Sequence, residues 1–383
     1  MMFPADDPVT DDPRPTALFS AAASAASANS WTSVNGWSVA RVYSSVPDEY
    51  LAAHAEAAVA DIGPVVRCTV RGADAAAFLQ RIVSAPIGAL EPGESVRGLM
   101  IDDDGFVIDL AEAARLAADL YLLSTSRKHA RRLQLGARGL DAAVEEITEH
   151  VAAMAIIGPA SREAAAAAGF DLMSDKLAAQ SRVRGVELSV RPVAYGALPA
   201  VEVIFPFDEA LTLWERLRRA AKPKPIGLDA LEIIRIEGGT PRLGVDFQSS
   251  ETATSADQKR TPASLGLAHL APLARSWFSG RRALREAGPP HRRLIGLGID
   301  ADRAQPGAQI YGKKGAPVGR VTSCAFSPRM KRVVAFADIA AEAAGEALEV
   351  DAEGTGRGTG SGRAPAGLLE TAESRAAAAS GGP

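Results

Sequence analysis

The sequence lacks several features that mark common functional classes. Its 383 residues include only two cysteines, Cys68 and Cys324, and no Cys-x-x-Cys pair. This argues against a disulfide framework or a structural zinc site and favours a reducing compartment. The five histidines are scattered without ligand spacing, and no run approaches the roughly 20 apolar residues of a membrane span. The net charge of −4 argues against nucleic acid or an anionic membrane as partner, since both call for a basic surface.

The two ends of the chain have little that could form a core. The acidic, proline-rich start MMFPADDPVTDDPRP is unlike a secretory signal, so we expect a cytoplasmic protein. Residues 1–30 are rich in Ala, Ser, Asp and Pro, and residues 351–383 are rich in Gly and Ala. Such segments bury too little apolar surface to offset the entropy of ordering, and both are predicted to be disordered tails.

Between the ends, a strand–helix–strand–strand–helix pattern occurs twice. The first copy runs from RCTVRG at residues 67–72 to the helical KHARRLQLGARG at 128–139. The second runs from AAMAIIGP at 152–159 to the helical FDEALTLWERLRRAA at 207–221. Periods of 2 and 3.6 alternate in both copies and change at Gly, Pro and Asp. Paired α+β units of this kind are expected to pack their sheets into a common core.

The rest of the chain predicts one helix and then an all-β region. The segment at 226–247 reads as a helix that ends at Gly238-Gly239, with Pro241 beyond it. After residue 290, short strands separated by Gly and Pro turns are typical of a small barrel. We therefore predict an N-terminal unit of two interleaved α/β domains at 31–250, a connecting segment at 251–290 and a barrel at 291–350.

Five motifs follow one another in an order that resembles one family. They are NGWSVARVY with Asp61, VRGADAAAFLQRI, RIEGGTPRLGVDF, TPASLGL and VGRVTSCAFSP. Over about residues 35–340 the chain is similar to the glycine-cleavage T-proteins, the folate-dependent aminomethyltransferases. The resemblance implies an α+β fold, a three-domain ring of two ferredoxin-like α/β units and a small C-terminal β-barrel around a central folate hole.

The resemblance also implies tetrahydrofolate as cofactor and suggests its ligands. Glu202 lies in the strand AVEVIF, where period-2 alternation turns it away from the flanking valines. Tyr195 and Glu202, seven residues apart, match the family's Tyr and pterin-binding Glu, so Glu202 is expected to bind the pterin edge. The alternative is a solvent-facing glutamate on an edge strand. Arg235 matches a folate-contacting Arg of the family, and the alternative is an ion pair with Glu232 or Glu237.

The residues at the family's catalytic position differ from its pattern. Leu110 stands where the family has the second Asp of G-G-x-x-D-D, and Arg97 stands where it has a Tyr. The neighbouring Asp109 would face the other side of its strand unless a bulge shifts the register. We predict Asp109 as a candidate for proton transfer and Arg97 as a cation beside a leaving group. The run DDDG at 102–105 predicts a hairpin turn and not a calcium loop.

The resemblance, together with these differences at the catalytic position, implies a tetrahydrofolate-dependent one-carbon transferase of a demethylase-like kind. It would move a methyl or methylene group from a small methylated substrate to tetrahydrofolate. One alternative is an aminomethyltransferase, with a lipoyl carrier protein as partner. Another is a folate-binding protein without turnover. The relatives that support iron–sulfur cluster assembly carry a Cys that the region at 261–284 lacks, which argues against that role.

Overall fold

The computed structural model describes residues 4–6, 12–172, 179–274, 277–351 and 360–363. None of the helices in these ranges has both the length and the apolar composition needed to cross a bilayer. The helices are α1 (Phe19–Ala25), α2 (Val46–Ala55), α3 (Ala75–Ile82), α4 (Ala130–Gly136), α5 (Ser161–Ala167), α6 (Ala210–Ala220), α7 (Leu228–Glu237) and α8 (Arg281–Glu286).

Of the strands in the same ranges, nine precede residue 150 and eleven follow it. The earlier ones are β1 (Arg14–Pro15), β2 (Ser30–Val34), β3 (Trp37–Val42), β4 (Ala58–Asp61), β5 (Val66–Arg71), β6 (Ser95–Ile101), β7 (Val107–Ala117), β8 (Leu120–Thr125) and β9 (Ala143–Glu146). The later ones are β10 (Val151–Ile157), β11 (Ala179–Val183), β12 (Val186–Tyr195), β13 (Leu198–Pro206), β14 (Lys224–Pro225), β15 (Arg292–Ile299), β16 (Gln309–Tyr311), β17 (Pro317–Ser327), β18 (Arg332–Ala340), β19 (Ala347–Val350) and β20 (Gly360–Arg363).

The first copy of the repeat forms a five-stranded sheet in the order β6-β7-β8-β5-β9. Helix α3 packs on it through Ala75, Phe78, Leu79 and Ile82, the i, i+3, i+4, i+7 spacing of an apolar face. The DDDG segment makes the turn between β6 and β7. There the Asp102 carboxylate accepts the backbone N–H of Phe106 at 2.8 Å, which confirms the predicted hairpin turn.

The second copy forms a six-stranded sheet in the order β11-β12-β13-β10-β4-β14. In each copy the opening strand pairs antiparallel with the strand before the closing helix, β5 with β8 and β10 with β13. Strand β4 precedes the first copy in the chain but pairs with β10 of the second sheet, so the two units are interleaved. Ala114 and Leu122 of the first sheet share a buried cluster with Ala155 and Tyr195 of the second, which makes the predicted common core.

The C-terminal strands form a separate six-stranded sheet in the order β15-β18-β17-β16-β19-β20. One face of it encloses a cluster of its own that includes Ile299, Ile310 and Leu348. Phe336 belongs to a second cluster, which it shares with Leu110 of β7 and other residues of the N-terminal unit. The barrel sheet is thus joined to that unit by buried apolar contact, and the boundaries at 250 and 290 stay predictions.

The predicted tail at 1–30 is wrong in its described part. Strand β1 pairs in parallel with β3, and α1 follows it. Leu18 is 1% exposed and packs into the cluster of the second sheet, so a large apolar side chain anchors this Ala- and Ser-rich segment to the core. The predicted tail at 351–383 lies mostly outside the described residues. Within it, Gly360–Arg363 is a strand paired with β19.

Candidate functional site

The hairpin of β12 and β13 brings Arg191, Tyr195 and Glu202 together. Arg191 and Glu202 are directly opposite each other in the register of the two strands. The Tyr195 hydroxyl donates to Glu202 Oε1 at 2.9 Å, and Arg191 Nε donates to Glu202 Oε2 at 2.9 Å. Arg191 Nη2 donates to the same Oε2. Glu202 is only 8% exposed, so the alternative of a solvent-facing glutamate is wrong.

The first sheet adds two residues to this group, Glu112 and Arg97. Glu112 of β7 accepts from Arg191 Nη1 on Oε1 and from Arg97 Nε on Oε2 at 3.4 Å. Arg97 of β6 also donates from Nη2 to the carbonyl of Ala194 at 3.1 Å. We call Arg97, Glu112, Arg191, Tyr195 and Glu202 the arginine–carboxylate cluster. It joins the two sheets and unites three of the five predicted site residues.

Opposing electrostatic effects act on the cluster. Burial alone would raise the pKa of Glu202, but the positive charges of Arg191 and Arg67 outweigh it and hold that pKa below its usual value. Burial, followed by the Glu202 charge, raises the pKa of Tyr195, which therefore stays a neutral donor. Burial also lowers the pKa of Arg67 to about 10. Among the described residues the Arg67 Nε has no hydrogen-bond partner.

The turn after Tyr195 packs closely against the end of α7. Gly196 has a φ of +58°, and a Cβ there would lie 2.6 Å from the carbonyl oxygen of Ile234. A Cβ on Gly238, the residue that ends α7 as the sequence predicts, would lie 2.1 Å from the Cα of Gly196. The two glycines therefore let α7 hold the hairpin in place immediately beside Tyr195.

Asp109 lies on the side of β7 away from the cluster. A bulge is present: Met100 pairs with Asp109 and Ile101 with Val107, which leaves Ile108 as the extra residue. The bulge does not bring Asp109 to the cluster. Its carboxylate accepts from the backbone N–H groups of Leu110, Ser126 and Arg127 and contacts His129 Nε2 at 2.9 Å. These contacts tie down the segment that leads into α4. The role of Asp109 as a catalytic carboxylate stays a prediction.

Arg235 forms a different group of contacts. Its guanidinium donates to both Glu232 oxygens at 2.7 and 2.8 Å, to Asp246 Oδ2 at 2.6 Å and to Ser323 Oγ at 2.8 Å. The ion pair with Glu232 is therefore present, whereas Glu237 accepts instead from Tyr50 and Ser327. Through Asp246 and Ser323, Arg235 ties α7 to the barrel sheet. Its contact with folate stays a prediction.

Sequence reasoning missed Glu112 and Arg191. Glu112 follows Leu110 by two residues, so strand alternation alone would have placed both on the same face of β7. Arg191 precedes Tyr195 by four residues, which puts it on the same side of β12. Glu112 and Arg191 meet because the two sheets pack against each other, and no local pattern in the sequence predicts that packing.

Comparisons with known proteins agree with the fold. Residues 20–261 match the model of the GCVT N-terminal domain, and residues 292–359 match that of the glycine cleavage T-protein C-terminal barrel domain. A probable aminomethyltransferase of Haloarcula marismortui is 30% identical over 324 residues, covering 80% of this chain and 86% of the relative. An aminomethyltransferase of Streptomyces avermitilis is 28% identical over 343 residues, covering 85% and 90%.

A solved structure gives the likeness in three dimensions. The crystal structure of the glycine cleavage system aminomethyltransferase T from Bartonella henselae superposes with a TM-score of 0.79. The two sequences are 22% identical, and the match covers 89% of this chain and 94% of the other. At that identity the likeness carries the fold alone, and it confirms the predicted fold class.

Proposed function

Because the chain belongs to the glycine cleavage T-protein family, we propose that it is a tetrahydrofolate-dependent one-carbon transferase. In this proposal a methyl group passes from a small methylated substrate to a nitrogen of tetrahydrofolate; the bond from the methyl carbon to the donor's oxygen, sulfur or nitrogen breaks, and that atom leaves with the electron pair and takes up the proton displaced from the folate nitrogen. The observation that carries it is the buried pair of Tyr195 and Glu202, whose hydroxyl and carboxylate are 2.9 Å apart. A buried carboxylate with a fixed orientation is what the N–H edge of a pterin requires.

The residues present fit a pterin in kind. A carboxylate offers about four acceptor positions, and Glu202 uses three of them, one for Tyr195 and two for Arg191. Glu202 would hold the donor edge, and Tyr195 would keep the carboxylate in place. Arg97, whose side chain is 32% exposed, stands at the open side of the cluster. When tetrahydrofolate is bound, it supplies the nitrogen that accepts the one-carbon unit.

The surroundings of Leu110 favour the demethylase-like version. Leu110 packs in an apolar cluster with Ile236 and Phe247, so this position of β7 presents an apolar side chain where the family has a carboxylate. The nearby Glu112 is held by two arginines. In this setting the chain can orient a donor methyl group by proximity, and the Arg97 guanidinium can stabilise charge that develops on an oxygen, sulfur or nitrogen leaving group.

The aminomethyltransferase is the second candidate, because the relatives from Haloarcula and Streptomyces carry that name. It would require a lipoyl carrier protein as partner and a carboxylate other than Leu110 beside the acceptor nitrogen. In either version the proposed partners are small molecules or a carrier and not nucleic acid or a membrane. We propose the cytoplasm as the compartment.

The test is a titration with tetrahydrofolate, followed by a screen for product. Glu202→Gln should weaken binding about tenfold to a hundredfold, since it removes a charged acceptor. Glu187→Gln, in the exposed part of β12, is the matched control and should leave the affinity unchanged. Equal affinity for the wild type and Glu202→Gln would remove Glu202 from the site.

The product screen separates the candidates. Methyl-tetrahydrofolate formed from methoxy, methylthio or methylamine donors would support the demethylase-like version. Product formed only with an aminomethyl-loaded lipoyl carrier protein would support the aminomethyltransferase. Binding without product from either class would leave a folate-binding protein without turnover.

A further inference from the structure

The Arg191 guanidinium occupies the carboxylate that the proposed function assigns to folate. Arg191 Nε and Nη2 both donate to Glu202 Oε2, and Arg191 is 4% exposed. A guanidinium and the pyrimidine edge of a pterin are both planar groups that present adjacent N–H donors. The two therefore compete for the same acceptor positions, and after Arg191 and Tyr195 only about one of the four remains.

Glu112 is a second carboxylate partner, which Arg191 can keep when its hydrogen bonds to Glu202 break. Arg191 Nη1 already donates to Glu112 Oε1, on the strand that faces β12 from the other sheet. A short movement towards Glu112 would free Glu202 Oε2 without leaving a buried guanidinium unpaired, which is the arrangement that costs most in a protein interior. Arg97 Nε shares the other oxygen of Glu112, so that carboxylate stays fixed during the exchange.

We infer that Arg191 is an internal competitor for the pterin edge, that it lowers the affinity for folate, and that Glu112 is the carboxylate that retains it when folate binds. This inference rests on the proposed function. Glu112 and Glu202 have different parts in it: Glu202 is exchanged between arginine and ligand, and Glu112 makes the exchange possible. Arg191 is a positioning residue that acts through Glu202 and takes no part in the chemistry.

Two substitutions in the cluster should change folate affinity in opposite directions. Arg191→Met removes the competitor and should tighten binding of tetrahydrofolate about tenfold or more, the worth of a charge-assisted hydrogen bond. Glu112→Gln removes the alternative charged partner, so Arg191 holds Glu202 more firmly and binding should weaken. A purely structural clamp would weaken binding in both variants. Arg182→Met, an exposed arginine on β11, is the control and should have no effect.

The measurement is calorimetric titration of the full chain, with circular dichroism and thermal unfolding of each variant to verify the fold. A pterin without the glutamate tail should show the same opposite changes, and p-aminobenzoylglutamate should show none. If Arg191→Met does not fold, Arg191→Lys is used in its place. It keeps the charge but has one ammonium nitrogen where arginine has a planar, bidentate guanidinium, and it should still bind folate more tightly than the wild type.

Two results would overturn the inference in distinguishable ways. If the folded Arg191→Met or Arg191→Lys variant binds folate as the wild type does, or more weakly, Arg191 is not a competitor, although the proposed function stands. If neither the wild type nor any folded variant binds folate, the proposed function fails and the inference fails with it.

Discussion

Asp109 matches the first Asp of the family's catalytic motif and is also an acceptor for several groups of the fold. It is fully buried, and its two oxygens contact four donors, three of them backbone N–H groups. Asp109→Asn puts an amide where donors converge, so we expect a loss of about 1–3 kcal/mol in the free energy of unfolding. Folate affinity should be unchanged, because the side chain faces away from the arginine–carboxylate cluster.

Urea unfolding and folate titration check this prediction, and Asp119→Asn, at an exposed position, is the control. The opposite pattern, full stability with loss of turnover, would mean that Asp109 takes part in catalysis.

At the residue scale, sequence spacing found one half of the cluster and not the other. Tyr195 and Glu202 are seven residues apart on two strands of one hairpin, so local periodicity and a motif were sufficient to pair them. Arg191 and Glu112 are 79 residues apart and lie in different sheets. Their contact depends on how two sheets pack, which no period of 2 or 3.6 encodes.

At the element scale, the end of α7 and the turn of the β12–β13 hairpin form one unit. Gly196 has a φ of +58°, and its Cα faces Gly238 with no room for a side chain between them. Gly196→Ala should therefore cost more than the roughly 1–2 kcal/mol of a left-handed conformation alone. Because the clash lies beside Tyr195, it should also weaken folate binding.

Gly185→Ala separates these two effects. Gly185 has a φ of +89°, in the turn between β11 and β12, but a Cβ there would contact none of the described residues within 4 Å. Urea unfolding should show only the conformational cost in this variant, and titration should show unchanged folate affinity. Equal effects of the two substitutions would contradict the close approach of α7 to the hairpin.

Helix prediction succeeded for α7 and failed for α1, for a physical reason. The α7 segment has a run of apolar residues and a Gly-Gly end, which are local signals. The α1 segment is FSAAASA, and its composition alone predicts disorder. Its order comes from the adjacent Leu18, buried in the core of the second sheet, and from Arg14–Pro15, paired with β3. Both are tertiary contacts.

At the scale of the whole molecule, shared buried clusters predict that the barrel and the N-terminal unit unfold together. The four tryptophans, Trp31, Trp37, Trp214 and Trp277, all precede the barrel, so their fluorescence reports only on the region before residue 291. Leu348 is 1% exposed inside the barrel's own cluster. Leu348→Ala should destabilise the barrel by about 2–5 kcal/mol.

If Phe336 and its neighbours couple the two parts, Leu348→Ala must lower the urea midpoint of the tryptophan fluorescence transition as far as that of the far-UV circular dichroism transition. Leu211→Ala, at a 46% exposed position, is the control and should shift neither signal. A dichroism change at low urea, with the fluorescence transition left where the wild type has it, would mean that the barrel unfolds alone. In that case the contacts of Arg235 with Ser323 would not be strong enough to hold the domains as one cooperative unit.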